Sequence, residues 1–234
     1  MYIDNSNKTS KPGTSKKSAD DVSWVKDYVE KQIATRALQR IEPIIDYMRA
    51  LDILKFTVAG GALFKGPCND IDIWPCPYDY DNYRKLFNTK VPIDLNKKIQ
   101  YFEQKFGETC KVQFCIYPVL PIGELIETFD FAHCKAAAAI EIDKDSGKVH
   151  ALGRVSPDFI ASMAAQTTFY CQSHEFPLRS IYRVGKVAQK LNMTGDEARD
   201  LGCQVVSSLI KQGFDKIASK DPDLIEYLAK YGDK

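Results

Sequence analysis

The sequence has no apolar run that could cross a bilayer. Its longest unbroken aliphatic stretch is Ala136 to Ile140, against the ~20 residues a spanning helix needs. Histidine is scarce, and His133, His150 and His174 lie far apart, so a histidine-built zinc centre is not what organises this chain. The seven cysteines are odd in number and form no Cys-x-x-Cys pair. That argues against a disulfide scaffold and for free thiols packed as small hydrophobes in a reducing, cytoplasmic compartment. Neither charge is in excess: 32 Lys and Arg stand against 31 Asp and Glu. No field of the whole molecule therefore draws it to nucleic acid or to an anionic membrane, and any basic surface is local. There is no internal repeat, no Gly-x-Ser-x-Gly elbow and no P-loop, which excludes a hydrolase nucleophile of that type and a P-loop phosphate site.

What is present is a globular composition, 44% hydrophobic, 27% charged and 11% aromatic in 234 residues, enough for one large domain or two small ones. Residues 1–21 are polar, with Lys8, Lys11, Lys16 and Lys17 and no apolar core of a leader peptide, and read as a flexible tail. From Val22 to Leu51 apolar residues recur at helical spacing. Pro43 lacks an amide hydrogen and predicts a break near Arg40 to Glu42. Phe56 to Ala59 reads as a strand ending in Gly60-Gly61, and Asp70 to Trp74 as a second strand alternating acidic and apolar side chains. Tyr83 to Phe87 and Tyr101 to Phe106 read as short helices, Lys111 to Tyr117 as a strand, Ile122 to Thr128 as a short helix, and Phe129 to Cys134 as a further strand. Ala136 to Asp143 and Lys148 to Leu152 flank an Asp-Ser-Gly turn and predict a hairpin.

Beyond Ser156-Pro157-Asp158, a capped helix start, the pattern is helical over 157–166, 177–192, 195–212 and 222–231. Thr194 and Asp221 are expected caps and Gly213 a stop. The expected organisation is α+β: a core over 22–152 with a mixed sheet, then a helical lobe over 153–234.

The chemistry concentrates in Gly60-Gly61 and Asp70-Ile71-Asp72. Paired glycines at a strand end let a backbone approach phosphate closely. Two Asp at i and i+2 on a strand share a face, an arrangement that repels itself unless a divalent cation intervenes. Solvated strand carboxylates remain the plain alternative. On the helix 177–192, Arg179, Arg183, Lys186 and Lys190 form a basic stripe, which either holds phosphate or is the solvated side of an amphipathic helix. Lys65, in the loop between the glycines and the acids, either touches phosphate or is solvated. Trp74, Tyr78, Tyr80 and Tyr83 could stack a base or pack in the core.

A Gly-Gly loop followed by a strand bearing Asp-x-Asp resembles the signature of the DNA polymerase beta-like nucleotidyltransferase superfamily, over about residues 55–134. The resemblance implies a minimal mixed-sheet core with an appended helical lobe, with Gly60 and Gly61 holding the triphosphate; Lys65, Arg179, Arg183 and Lys186 are the cations that the residues themselves offer to assist. It implies further that Asp70, Asp72 and a third carboxylate bind two Mg²⁺, or Mn²⁺. The third acid departs from the common pattern, because the strand expected to carry it reads Val112-Gln113-Phe114. Asp130, in Phe129-Asp130-Phe131, is the preferred substitute, ahead of Glu141, Glu127 and Asp143. Val-Gln-Phe with a downstream Phe-Asp-Phe also resembles a compact viral and bacteriophage-type branch. The implied activity transfers NMP from an NTP to a hydroxyl, first an RNA or tRNA 3′ end, then a protein side chain or a small molecule. Gln113 keeps open a degenerate, non-catalytic relative. A sugar-nucleotide transferase with an Asp-x-Asp metal site is a further alternative, which leaves the glycines unexplained.

Overall fold

Strands whose alternate residues are apolar fold here as one mixed sheet, with the main core on one face and a smaller apolar cluster beside polar side chains on the other. The computed structural model describes residues 19–65, 70–93, 100–107, 110–116, 118–171 and 177–213. Six strands, β1 (Lys55–Ala59), β2 (Ile71–Pro75), β3 (Tyr101–Phe106), β4 (Cys110–Cys115), β5 (Ala136–Ile142) and β6 (Val149–Val155), lie in the order β3-β4-β2-β1-β5-β6. Every pairing is antiparallel except β2 with β4, which is parallel. Phe56, Val58, Ile71, Ile73, Val112 and Phe114 all point to the buried face.

Helix α1 (Ala19–Ile41) lays Val29, Ile33, Ala37 and Ile41 on that face, four residues apart and on one stripe. A short 3-10 turn at Glu42–Ile44, with Pro43 in it, separates α1 from α2 (Ile45–Ala50). The break falls where the missing amide of proline requires it. Helix α3 (Tyr80–Lys90) adds Tyr83, Leu86 and Phe87 to the core, and Tyr83 donates its hydroxyl to the Ile73 carbonyl at 2.8 Å. Tyr83 and Trp74 are thus buried packing residues, whereas Tyr78 is exposed. On the other face, α4 (Ile122–Glu127) packs Leu125 and Ile126 against Ala59, Trp74, Cys115 and Ala137.

Three helices follow: α5 (Pro157–Ala165), α6 (Pro177–Leu191) and α7 (Gly195–Gln212). Ser156 caps α5 by accepting from the Phe159 amide, Thr194 and Glu197 close a capping box on α7, and Gly213 ends it with φ +78°. Phe131 joins Val187, Leu201, Val205 and Leu209 in a second core that holds α6 and α7 to the segment before β5. Among the described residues no helix is long and apolar enough to cross a membrane.

Two segments differ from the sequence expectation. Tyr101 to Phe106 is a strand, because Phe102 is buried while Tyr101 and Glu103 are exposed, a period of two. Phe129 to Cys134 is not a sheet strand: Phe131 makes a single bridge to Tyr170, and Ala132–Cys134 curls into a 3-10 turn. The last strand continues through Gly153 to Val155, past the expected transition at 153. The helix expected over 222–231, its cap Asp221 and residues 1–18 of the expected tail lie outside the described residues.

Gly153 shows how tightly α1 is seated. A Cβ there would lie 2.0 Å from the Glu30 carbonyl oxygen, and backbone cannot yield as a side-chain tip can. Gly153→Ala is therefore expected to destabilise the fold by about 3 kcal/mol, read as a lowered urea midpoint with an unchanged slope. A midpoint within error of the parent would mean that α1 does not press on β6 in solution.

Candidate functional site

Alternation on β2 decides where the acids go. Ile71 and Ile73 are buried in the core, which leaves Asp70, Asp72 and Trp74 on the opposite face. Asp72 stands in register with Ala59 of β1 and Gln113 of β4, and Gln113 with Glu103 of β3. Ala59 ends β1, and the chain turns at once through Gly60-Gly61. The turn therefore begins beside Asp72. Gly60 has φ +86°, and a Cβ on it would lie 3.2 Å from Asp72 Oδ2. One on Gly61 would lie 2.8 Å from Lys190 Nζ and 3.7 Å from His133 Nε2. The side-chain-free turn thus brings together an acid from β2, a lysine from α6 and a histidine from the segment before β5.

Charge is dense and partly buried at this point. Burial, and then the neighbouring Asp70, push the Asp72 carboxyl up to about 7, while Arg183, Lys190 and Lys111 pull it back. Burial, with Lys190 and Arg183, pushes the His133 imidazole down to about 3. The ring is held neutral, with Nδ1 3.0 Å from Thr168 Oγ1 and Nε2 3.3 Å from Cys134 Sγ. For Arg183 burial works against the charge, yet Asp130, Cys134 and Asp72 outweigh it and raise its pKa. Along the sheet, Gln113 Nε2 donates to Glu103 at 2.8 Å and more weakly to Asp70 at 3.4 Å, and Lys111 pairs with Glu103 at 2.7 Å.

Of the residues singled out from the sequence, the structure brings together Gly60, Gly61, Asp70, Asp72 and Arg183, with Lys190 of the same stripe. Arg179 is partly buried one turn before Arg183, and Lys186 is exposed. Lys65 is exposed and lines a surface groove with Tyr28, Lys31, Gln32, Thr35, Arg36 and Gln39 of α1. Asp130 does not join Asp70 and Asp72. It is buried, and its two oxygens accept from Ser180 Oγ at 2.8 Å and Arg183 Nη1 at 2.5 Å. The lost strand at 129–134 explains this, since the segment runs against α6 and not along the sheet. Glu141 pairs with Lys55, Glu127 with Lys135, and Asp143 turns onto its own loop amides.

The inward turn of Lys190 within its stripe and the pairing of Glu103 with Lys111 and Gln113 were not legible in the sequence. Lys190 lies two helical turns beyond Arg183, and the alternation of Tyr101 to Phe106 was the signal for Glu103.

Among the described residues no three His, Cys, Asp or Glu side chains stand together so as to hold a metal ion. Two adjacent carboxylates, one of them strained by burial, fit a single Mg²⁺ completed by water and substrate phosphate, the usual way this ion is bound. They do not fit a three-carboxylate centre for two ions, because Gln113 offers an amide and Asp130 is committed to Arg183.

No known protein family and no curated protein matches this sequence. In fold the chain is similar to solved tRNA-processing enzymes. The apo form 2 of one is 15% identical over 81% of this chain and 57% of its own, with a TM-score of 0.40. A tRNA-processing enzyme with CTP gives 15%, 80%, 55% and 0.40, and a complex of CCA-adding enzyme with CTP gives 14%, 86%, 52% and 0.43. The chain spans little more than half the length of these proteins.

The neutral imidazole has a measurable consequence. Unfolded, His133 takes up its proton near 6.5; folded, only near 3. Its contribution is thus intact above about pH 6.5 and is lost as the pH falls towards 3, by about 1.4 kcal/mol per pH unit. Asp72 slopes the opposite way, since its raised pKa favours the fold at lower pH, so the difference between two proteins isolates the histidine. His133→Gln is expected to lose less stability than the parent between about pH 6.5 and 4.5 in urea titrations. Parallel curves would show that the ring is charged or solvated.

Proposed function

We propose that the protein binds a nucleoside triphosphate at the Gly60-Gly61 turn and transfers its nucleotidyl group to a hydroxyl, with the 3′ end of an RNA such as tRNA as acceptor. One observation carries the reading. The glycine turn lies between a carboxylate and an ammonium, with Asp72 on one side and Lys190 on the other, the surroundings needed to seat a polyphosphate with its cation. Arg183 and Lys190 hold the phosphate oxygens, the first as a planar fork and the second as a point charge. Asp70 and Asp72 hold one divalent ion, Mg²⁺ with Mn²⁺ as substitute, which when bound neutralises phosphate charge.

In the reaction the acceptor oxygen bonds to the α-phosphorus. The bond from that phosphorus to the bridging oxygen breaks, pyrophosphate leaves, and the hydroxyl proton passes to water. The protein supplies position and charge, so no covalent nucleophile is required. The RNA acceptor is favoured by the cations of α6, of which Lys186 stays exposed for a phosphate backbone. A second reading, nucleotide binding without transfer, is favoured by Gln113 in place of a third acid.

Incubation with Mg²⁺, each labelled NTP in turn, and cellular RNA and protein is expected to label the RNA. Asp70→Asn and Asp72→Asn should each lower incorporation by about a hundredfold or more. Label in the protein or small-molecule fraction would reassign the acceptor, nucleotide bound without transfer would establish the second reading, and no binding would end both. Gly61→Ala separates site from scaffold. The new methyl comes too close only to the end of a flexible lysine, with Cys134 Sγ and His133 Nε2 at ordinary contact distance, so stability should fall by less than about 1 kcal/mol while nucleotide affinity drops about tenfold. Unchanged affinity would remove Lys190 from the site.

A further inference from the structure

Asp130 sits in a segment pinned from both sides. The Cys171 amide donates to its carbonyl at 2.7 Å, the Ala132 amide to Phe169 at 3.0 Å, and Phe131 bridges to Tyr170. Its side chain, 6% exposed, takes one hydrogen bond from Ser180 and one from Arg183. Those residues are three apart on α6 and so share a face. Two ties from one helix face to one carboxylate fix both the rotation of α6 and its height against the sheet. Lys190 lies two turns further along that face, so the same ties decide that its ammonium arrives at Gly61.

The Arg183 guanidinium also lies over the Phe131 ring, 5.4 Å from its centroid. Its side chain remains 43% exposed, and among the described residues Asp130 is the only partner to which it donates a hydrogen bond. The other N–H groups of the fork are open to an anion.

We infer that Asp130 is a positioning residue: through Ser180 and Arg183 it sets α6 so that Arg183 and Lys190 meet the phosphates, an inference that rests on the nucleotide site proposed above. The role differs from that of a third metal ligand, and the two predict different kinetics. Asp130→Asn removes the charge that orients the guanidinium: the amide oxygen can still accept from Arg183 while the N–H₂ turns to the Ser180 hydroxyl, which then accepts, so the charge-assisted tie to Arg183 is what is weakened. A metal ligand lost in the same way would raise the Mg²⁺ concentration needed for half-maximal transfer, which the loss of a positioning residue leaves unchanged.

The test uses the full chain with Mg²⁺ and the α,β-methylene analogues of the four nucleoside triphosphates, whose dissociation constants are measured by calorimetry. Asp130→Asn and Arg183→Ala are each expected to weaken binding about tenfold and Ser180→Ala about threefold. The double variant Asp130→Asn with Arg183→Ala should be within about twofold of Arg183→Ala alone, because both changes remove the same interaction. Should Asp130→Asn fold poorly, the cycle of Ser180→Ala with Arg183→Ala serves the same purpose, again expected to be non-additive. Parental affinity in Asp130→Asn and Ser180→Ala, effects that multiply in the double variants, or a collapse of transfer at unchanged affinity would each overturn the positioning role. Failure of the parent protein to bind any analogue would instead remove the nucleotide site itself, and is seen before any variant is compared.

Discussion

The side-chain alternation of β2 is the constraint on which the site depends. Ile71 and Ile73 are locked into the main core, between an antiparallel neighbour on one side and a parallel one on the other. A slip of one residue would carry Asp70 and Asp72 into that core and expel both isoleucines. The acids are thus held on the polar face by hydrophobic burial on the other. Because Ala59 is paired with Asp72, the turn that follows β1 is delivered to the same place without any contact of its own having to specify it.

Holding two carboxylates side by side in partial burial is costly, and the chain offsets the cost from a distant segment. Arg183 and Lys190 come from α6, beyond all six strands, and both act on Asp72. Their placement relies on the second core, in which Val187, between the two in sequence, packs with Phe131 and with α7. Hydrophobic packing therefore sets the helix down, and the buried Asp130 selects which of its faces looks at the acids. Burial, and after it the same cations, keep His133 neutral, so the floor beside Gly61 carries no additional positive charge to compete with them.

Much of this could be read from residues alone, where local chemistry decides. Pro43, the Ser156-Pro157 start, the Thr194 capping box and the Gly213 stop all specify boundaries through single backbone groups, and the structure places each one there. The glycine pair and the acids were legible for the same reason, since the spacing of two on a strand admits one geometry. What was not legible depends on contacts between remote segments. Phe129-Asp130-Phe131 has the alternation of a strand, but no free sheet edge reaches it, and it pairs with Tyr170 by one bridge. Tyr101 to Phe106 carries polar residues that suit a helix surface equally well, and only the partnership with β4 makes it a strand. Which lysine of the α6 stripe looks inward is a matter of helix rotation, set by Ser180 and Asp130, and no spacing rule contains it.

The departure at Gln113 bears on how a nucleotide would enter. Lys111 is matched to Glu103, and Arg183 to Asp130. Among the described cations that act on Asp72, Lys190 is the one with no ion pair to another carboxylate, and wherever both acids are ionised the pair attracts a divalent cation and opposes a bare phosphate. A polyphosphate approaching such a surface is repelled until a cation arrives with it. One divalent ion reverses this and creates an attraction for phosphate, whereas a second would need an acid that this arrangement has already spent on α6. In the proposed reading the nucleotide and its metal therefore bind as one unit, and Gln113, donating to both Asp70 and Glu103, ties the acid row together where a further ion would otherwise have to do so.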